Sequence, residues 1–220
     1  MAKAKTVYCC SECGAQHPKW TGQCQDCGEW NTLIEQVAEN QSSEKTTARF
    51  AGFAPTAQVT SIRSVPLEQT SRYQIGIQEL DRVLGGGLVP GSIILLGGDP
   101  GIGKSTLLLQ STSLLSSNLS TLYSTGEESS QQIAMRAQRL GIADSELQLL
   151  SDNCIESLLS VAQKQRPQVL VVDSIQTLYT EQLQSAPGSV AQVRETAARL
   201  VRFAKQTNTI VILVGHVTKE

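Results

Sequence analysis

A glycine-rich stretch near the middle of the chain has the residue types and the spacing that hold a nucleoside triphosphate. Gly98 is followed, after four intervening residues, by Gly103-Lys104-Ser105, which is the phosphate-binding P-loop pattern. Glycines allow positive φ, so successive backbone N–H groups can point into one concavity. The lysine would contact the β- and γ-phosphates, and the serine hydroxyl would bind Mg²⁺. The predicted nucleotide-binding residues are Gly98, Asp99, Pro100, Gly101, Ile102, Gly103, Lys104, Ser105 and Thr106.

A second polar position follows the apolar run 169–172. The run closes on Asp173, which is the Walker B form, and the carboxylate would hold Mg²⁺ together with Ser105. A strand that ends in an aspartate before a turn is the alternative interpretation. Because the P-loop is present in the same chain, we favour the magnesium site.

Two further positions also lie where predicted strands end. Glu127 and Glu128 follow the predicted strand 120–125, where a carboxylate can orient and deprotonate an attacking water, or can instead cap the next helix. His216 ends the final run and could contact a γ-phosphate, although a hydrogen-bonded histidine at a strand end is the commoner case. The predicted catalytic residues are Lys104, Glu127, Glu128, Asp173 and His216.

Four cysteines near the N-terminus have the spacing of a zinc ribbon. Two Cys-x-x-Cys-Gly knuckles are separated by ten residues, and each knuckle aims two thiolates at one point. Four soft thiolates favour tetrahedral Zn²⁺ in a closed, structural site. Two disulfides or a redox-active pair are disfavoured, because the sequence has neither a secretory signal nor a βαβ context around these cysteines. The predicted zinc ligands are Cys10, Cys13, Cys24 and Cys27.

Other residues of the ribbon need separate interpretation. Cys9 adjoins Cys10, but the match with the second knuckle favours Cys10 as the ligand. His17 is expected at the surface, since four thiolates already fill the site. Trp20 and Trp30 are expected to cover the ribbon, or instead to stack on a base or a partner.

Composition suggests one α/β domain with a small second unit. The 220 residues carry a net charge of −2, so nucleic-acid binding would need a local basic patch. Neither a signal peptide nor an apolar run of ~18 residues is found, which predicts a cytoplasmic protein with reduced cysteines and no membrane contact. The predicted domains are the zinc ribbon at 1–35, a flexible linker at 36–65 and a nucleotide-binding domain at 66–220.

Strand-length segments alternate with helix-length segments from residue 92 onward. This alternation predicts an α/β fold, in which helices cover both faces of a parallel sheet and the site lies beyond the carboxyl ends of the strands. A short amphipathic segment is predicted at 72–84. Strands are predicted at 92–96, 120–125, 147–151, 169–173 and 209–214, and helices at 106–115, 129–140, 155–165 and 190–206.

Taken together, the motifs resemble the RadA family (also called Sms) of bacterial DNA-repair ATPases. The similar segments are the ribbon with its Pro-Lys-Trp-x-Gly-x-Cys run, and residues 84–92, 98–106, 125–129, 172–177 and 214–219. The resemblance implies a RecA-like P-loop NTPase behind a four-cysteine zinc ribbon, with ATP, Mg²⁺ and Zn²⁺ as its cofactors. It also implies a DNA-dependent ATPase that processes recombination intermediates, promotes branch migration of RecA-mediated strand exchange and forms a hexameric ring.

Residue roles also follow from the resemblance. In RecA-like ATPases the activating glutamate follows the strand beside the P-loop strand, so Glu127, with Glu128 beside it, is the expected general base. His216 resembles the γ-phosphate sensor. Single-stranded and branched DNA are the expected partners, together with RecA filaments. The loop 180–189 and Arg194 resemble the first DNA-facing segment, and Lys219 would begin the second.

Members of this family continue beyond the length of this chain. The resemblance therefore implies an N-terminal fragment that lacks the later strands of the core and a Lon-protease-like C-terminal domain. We expect the fragment alone to bind zinc but to hydrolyse ATP poorly. Two alternatives stay open: a KaiC-like regulatory ATPase, which has paired glutamates but no such ribbon, and a zinc-ribbon adaptor that uses nucleotide only as an assembly switch.

Overall fold

Three short strands near the N-terminus form a small antiparallel sheet in the computed structural model, which describes residues 6–12, 15–37, 61–64 and 71–216. They are β1 (Thr6–Cys10), β2 (Gln16–His17) and β3 (Leu33–Val37), with β1 in the centre. The buried cluster of this unit consists of Cys10, Cys24 and Leu33. So small a core cannot stabilise a fold alone, so we expect bound metal to supply much of the folding free energy.

The two tryptophans of the ribbon do not cover it, contrary to the sequence prediction. Trp20 is 56 % exposed and Trp30 is 66 % exposed. The Trp30 ring lies beside Gly22, where an added Cβ would be 3.6 Å from the indole. The indole thus rests on backbone at its edge while most of its surface faces outward.

Five strands farther along the chain form one parallel sheet. The strands are β4 (Ile93–Gly98), β5 (Thr121–Thr125), β6 (Gln148–Ser151), β7 (Val169–Asp173) and β8 (Ile210–His216). Their order across the sheet is β4-β8-β7-β5-β6, and each neighbouring pair is parallel. All their carboxyl ends therefore meet at one edge, where ligands bind in open α/β sheets.

Helices cover both faces of this sheet, as predicted. The helices are α1 (Gln78–Val83), α2 (Lys104–Ser116), α3 (Ser130–Arg139), α4 (Ile155–Gln165) and α5 (Val190–Thr207). Leucines of α2 and Ile133 of α3 pack with one buried cluster, whereas apolar residues of α4 and α5 pack with the other. The predicted α/β class with an N-terminal ribbon is confirmed.

The burial of strand β7 on both faces explains why the strand is easy to recognise in the sequence. Val169 and Val171 belong to the cluster on one face, and Leu170 and Val172 belong to the cluster on the other. All four are buried, so the strand reads as a continuous apolar run rather than as an alternation. Asp173, at its end, is the first residue of the strand that can hold a charge.

Two differences between the structure and the predicted elements lie at the P-loop and in the segment before it. Strand β4 continues to Gly98, so it includes the first residue of the P-loop. The amphipathic segment 72–84 is helical only at Gln78–Val83. The side chain of Asp81 accepts hydrogen bonds from the backbone N–H groups of Ile75 and Gly76, at 2.8 and 3.0 Å. These bonds hold the residues before Gln78 outside the helix.

Most of the predicted linker, 36–65, lies outside the described residues, apart from residues 36–37 and a 3₁₀ turn at Ile62–Ser64. The linker and the domain boundaries therefore stay predictions. Within the described ranges, none of the helices has the length and hydrophobicity needed to cross a membrane.

The burial of β7 leads to a prediction about stability. Leu170 is fully buried in this central strand, whereas Leu95 is 66 % exposed on the edge strand β4. Leu170→Ala should lower the free energy of unfolding by about 2–5 kcal/mol, because it removes buried surface and leaves a cavity. Leu95→Ala, the matched control, should change it by about 0.5 kcal/mol or less. Urea denaturation measures both, and equal losses would contradict the two-sided burial of β7.

Candidate functional sites

The P-loop residues connect the end of a strand to the start of a helix. Strand β4 ends at Gly98, and helix α2 begins at Lys104 with Gly103 as its N-cap residue. Gly101 and Gly103 have φ of 79° and 94°, in the left-handed region that favours glycine. An added Cβ at either position would meet no heavy atom within 4 Å, so the loop is open there. The first N–H groups of any α-helix have no partner within the helix, so the start of α2 beside this loop suits an anion such as a phosphate.

Lys104 is buried at the base of the loop although it carries a charge. Its ammonium donates to the carbonyl oxygens of Gly98 at 2.9 Å and Asp99 at 2.7 Å. It also lies 3.3 Å from Nδ1 of His216. These contacts hold the ammonium group against the P-loop backbone and beside His216.

His216 lies opposite the P-loop because β4 and β8 are paired in parallel. The register sets Gly98 against His216 at the ends of the two strands. Nε2 of the imidazole is 3.5 Å from Oε1 of Glu127. His216 is thus in contact with both a P-loop lysine and one of the two candidate glutamates.

The two adjacent glutamates have different surroundings. Oε1 of Glu127 accepts a hydrogen bond from the Ser174 hydroxyl at 2.6 Å, in addition to its contact with His216. Glu128 instead forms an ion pair with Arg136 of helix α3. Glu127 therefore faces the P-loop side of the site, whereas Glu128 is bound to the neighbouring helix.

Neither glutamate caps helix α3, which was the alternative role for this pair. The N-cap residue is Ser129, whose hydroxyl accepts from the backbone N–H of Gln132. The side chain of Gln132 accepts in return from the backbone N–H of Ser129 at 2.8 Å, which completes a capping box.

One expectation drawn from the family resemblance is wrong. The strand that precedes Glu127 is β5, and it does not lie beside the P-loop strand β4. Strands β8 and β7 lie between them. Glu127 reaches the site because it and Ser174 extend beyond the sheet edge, where His216 spans the remaining distance to Lys104.

Asp173 has a hydrogen-bond partner that the sequence analysis missed. The Tyr123 hydroxyl of β5 donates to Oδ2 of Asp173 at 2.5 Å. Burial raises the pKa of the Tyr123 phenol, and the charge of the Asp173 carboxylate raises that pKa further. The phenol therefore remains a protonated donor. A lone tyrosine inside a buried strand was the available signal, because a buried phenol requires a polar partner.

The loop 180–189, which resembles a DNA-facing segment, is held by hydrogen bonds to the buried side chain of Gln192. This side chain is 1 % exposed, and its carbonyl oxygen accepts from the backbone N–H of Thr180 at 2.8 Å. Its amide nitrogen donates to the carbonyl oxygen of Ser185 at 2.9 Å. Arg194 is exposed on α5, and Lys219 lies outside the described residues.

Three of the four predicted zinc ligands come together in the ribbon. The sulfur atoms of Cys10, Cys24 and Cys27 all lie within 4.8 Å of one another, and those of Cys10 and Cys27 are 3.6 Å apart. Zn–S bonds of ~2.3 Å in a tetrahedron place sulfur atoms about 3.8 Å apart, so this thiol set fits zinc. Cys13 lies outside the described residues.

The expectation that His17 lies at the surface is wrong. It is 9 % exposed, and its Nε2 lies 3.5 Å from the Cys24 sulfur and 3.2 Å from Oδ2 of Asp26. A hydrogen bond from the backbone N–H of Cys27 lowers the pKa of the Cys24 thiol despite burial, and His17 adds to the same shift. A thiol that ionises more readily is a better zinc ligand.

Comparison with known protein families matches the two parts of the chain separately. Residues 60–220 match the family described as an AAA domain. Residues 8–35 match the family described as a rubredoxin metal binding domain. The second match contains all four predicted zinc ligands.

The whole chain is also similar to curated proteins named DNA repair protein RadA. It is 56 % identical to the one from Pseudomonas aeruginosa, 50 % to the one from Escherichia coli and 47 % to the one from Bacillus subtilis. Each match covers 100 % of this chain and 48 % or 49 % of the relative. The chain thus spans about half the length of these relatives.

The thiol cluster leads to a prediction about zinc. Cys24→Ser should remove zinc from the ribbon and unfold it, because a hydroxyl is a poor substitute for a thiolate in a closed four-ligand site. Cys154→Ser is the matched control, since Cys154 precedes α4 in the core and should leave stoichiometric zinc in place. Metal analysis of the purified proteins measures both. Stoichiometric zinc in Cys24→Ser would mean that another residue, such as Cys9 or His17, is a ligand.

Proposed function

The chain belongs to the RadA family of AAA-domain DNA repair proteins, and from that premise we propose that it is the ATP-binding part of a DNA-dependent ATPase in recombinational repair. Its work would be to process recombination intermediates and to promote branch migration of RecA-mediated strand exchange. The relatives supply the link to DNA repair, and the site geometry supports the ATPase.

One connected set of contacts carries the proposal of ATP hydrolysis. It leads from Lys104 through His216 to Glu127 and Ser174, at the carboxyl edge of the sheet. Hydrolysis of a terminal phosphate needs a cation that stabilises the developing charge and a base that activates water. The P-loop lysine and the Glu127 carboxylate would provide these two groups within one network.

We assign nucleotide binding to residues 98–106. The open glycine loop and the first turn of α2 would bind the phosphate oxygens through backbone N–H groups, and Lys104 would add its charge. Ser105 and Asp173 would hold Mg²⁺, which when bound neutralises charge on the phosphates. Phosphate binding would have to replace the contacts that Lys104 makes with the carbonyl oxygens of Gly98 and Asp99.

We assign the role of general base to Glu127 rather than to Glu128. The carboxylate of Glu127 is bound by a neutral hydroxyl and an imidazole, so it keeps the capacity to accept a proton from water. Glu128 is instead held in an ion pair with Arg136 of α3, so its carboxylate is engaged by the neighbouring helix. Glu128 would instead fix the start of helix α3 relative to the site.

His216 would connect the phosphate site to the base. It touches both Lys104 and Glu127, so a change at the γ-phosphate that moves Lys104 would also alter the surroundings of the base. Such a link fits a sensor of the γ-phosphate. From the end of β8 the chain continues toward Lys219, which we propose begins a DNA-contacting segment.

We propose single-stranded and branched DNA as partners, with the loop 180–189 and Arg194 among the contacts. The net charge of −2 means that these contacts would act as a local patch, or lie partly outside this chain. A hexameric ring and an encounter with RecA filaments belong to the same proposal. The ribbon at 1–35 would bind Zn²⁺ as a structural unit.

The decisive experiment is ATP turnover of the complete gene product with and without single-stranded DNA. We expect DNA to stimulate hydrolysis, and we expect Lys104→Ala to abolish it through loss of phosphate charge stabilisation. Turnover that is indifferent to DNA would favour the KaiC-like regulatory ATPase. Nucleotide binding without turnover would favour the zinc-ribbon adaptor, and near wild-type turnover in Lys104→Ala would refute the P-loop assignment.

The two glutamates provide a matched pair of variants. Glu127→Gln should leave ATP bound but should lower kcat by about 10²–10⁴-fold, the usual contribution of a general base. Glu128→Gln should keep much of the activity and chiefly destabilise the contact with α3. Single-turnover hydrolysis and nucleotide-binding assays on both variants measure these effects. If only Glu128→Gln retains ATP without cleaving it, the general base is Glu128 and not Glu127.

A further inference from the structure

Tyr123 lies under the proposed magnesium site, in a position that no motif assigns. It is the middle residue of β5 and is 2 % exposed. Its hydroxyl donates to Oδ2 of Asp173 at 2.5 Å, across fifty residues of sequence. The contact joins the middle of β5 to Asp173, the only charged residue of the neighbouring strand β7.

Sheet register explains how the two side chains meet. In the pairing of β5 with β7, Tyr123 lies opposite Val171 and Thr125 lies opposite Asp173. Residues two apart on a strand point to the same face, so Tyr123 and Asp173 are diagonal neighbours on one face. Diagonal neighbours lie ~7–8 Å apart at Cα, a gap that an aromatic side chain can span. A shorter hydroxyl side chain at residue 123 would not reach.

The chemistry of the donor matters as much as its reach. A phenol is neutral, so it can fix the orientation of a carboxylate without cancelling the charge that a cation needs. A lysine or an arginine at the same place would compete with the metal for the carboxylate. Carboxylates that bind metals are commonly held by such outer hydrogen bonds, and loss of the bond costs about 10–100-fold in metal affinity.

A purely structural explanation is the alternative. A buried phenol needs a hydrogen-bond acceptor, and Asp173 could serve Tyr123 rather than the reverse. The two explanations differ in their consequences, because a structural bond would affect stability, whereas an orienting bond would affect metal binding at Asp173.

We propose that Tyr123 is a positioning residue that holds the Asp173 carboxylate in the orientation in which it binds the nucleotide-associated Mg²⁺. The inference rests on the proposed ATP-binding function of this site. It extends the site by one residue from β5, the strand that also leads to Glu127.

The test measures Mg²⁺ dependence of nucleotide binding, with a fluorescent N-methylanthraniloyl ATP analogue and the complete gene product. Tyr123→Phe should raise the Mg²⁺ concentration for half-maximal binding by about 10–100-fold. Binding of the analogue in EDTA should not change, since the P-loop is untouched. Tyr73→Phe is the matched control: Tyr73 packs on the same buried cluster but lies near Ile210, at the opposite end of the strands.

A double variant separates positioning from structure. If Tyr123 acts through Asp173, adding Tyr123→Phe to Asp173→Asn should cause no further shift in Mg²⁺ dependence. Additive shifts, or a Tyr123→Phe protein with a lower melting temperature but unchanged Mg²⁺ dependence, would overturn the inference. If the wild-type protein shows no Mg²⁺-dependent nucleotide binding, the proposed function fails as well, so the two failures are distinguishable.

Discussion

The parallel pairing of β4, β8, β7 and β5 is the constraint on which the site depends. Because helices bury both faces of this sheet, charged side chains have no place along the strands and collect at the carboxyl edge. The register sets Gly98 opposite His216 at that edge, and Thr125 opposite Asp173. The P-loop, the Walker B aspartate and the glutamate turn are therefore adjacent, although they come from distant parts of the chain.

Within that edge, similar residues have different surroundings. Glu127 and Glu128 are adjacent in sequence, yet one meets a hydroxyl and an imidazole and the other meets a guanidinium. The difference arises because consecutive residues of a turn point in different directions, and Arg136 of α3 lies on one side only. A similar distinction applies to Asp173, whose partner Tyr123 is neutral and so leaves the carboxylate its charge.

The sequence was sufficient for features that depend on local pattern. Continuous apolar runs predicted β7 and β8, and the glycine spacing predicted the loop between β4 and α2. The order of the strands was not predictable in the same way, because it depends on how the helices pack against the sheet. The strand before Glu127 was expected beside β4, and this expectation was wrong. The partners of Asp173 and Glu128 also depended on contacts that arise only after the sheet and α3 have assembled.

The ribbon shows the same limit in a unit with almost no apolar core. Knuckle spacing predicted a thiol cluster, and Cys10, Cys24 and Cys27 form one. It did not predict the buried position of His17, because knuckle spacing indicates the ligands and not the residues that surround them. A buried thiolate needs donors that support its charge, and His17 and the backbone N–H of Cys27 do this for Cys24. The exposed Trp20 and Trp30 add little to the core, so we expect the stability of this unit to depend on bound metal and on the hydrogen bonds around its sulfur atoms.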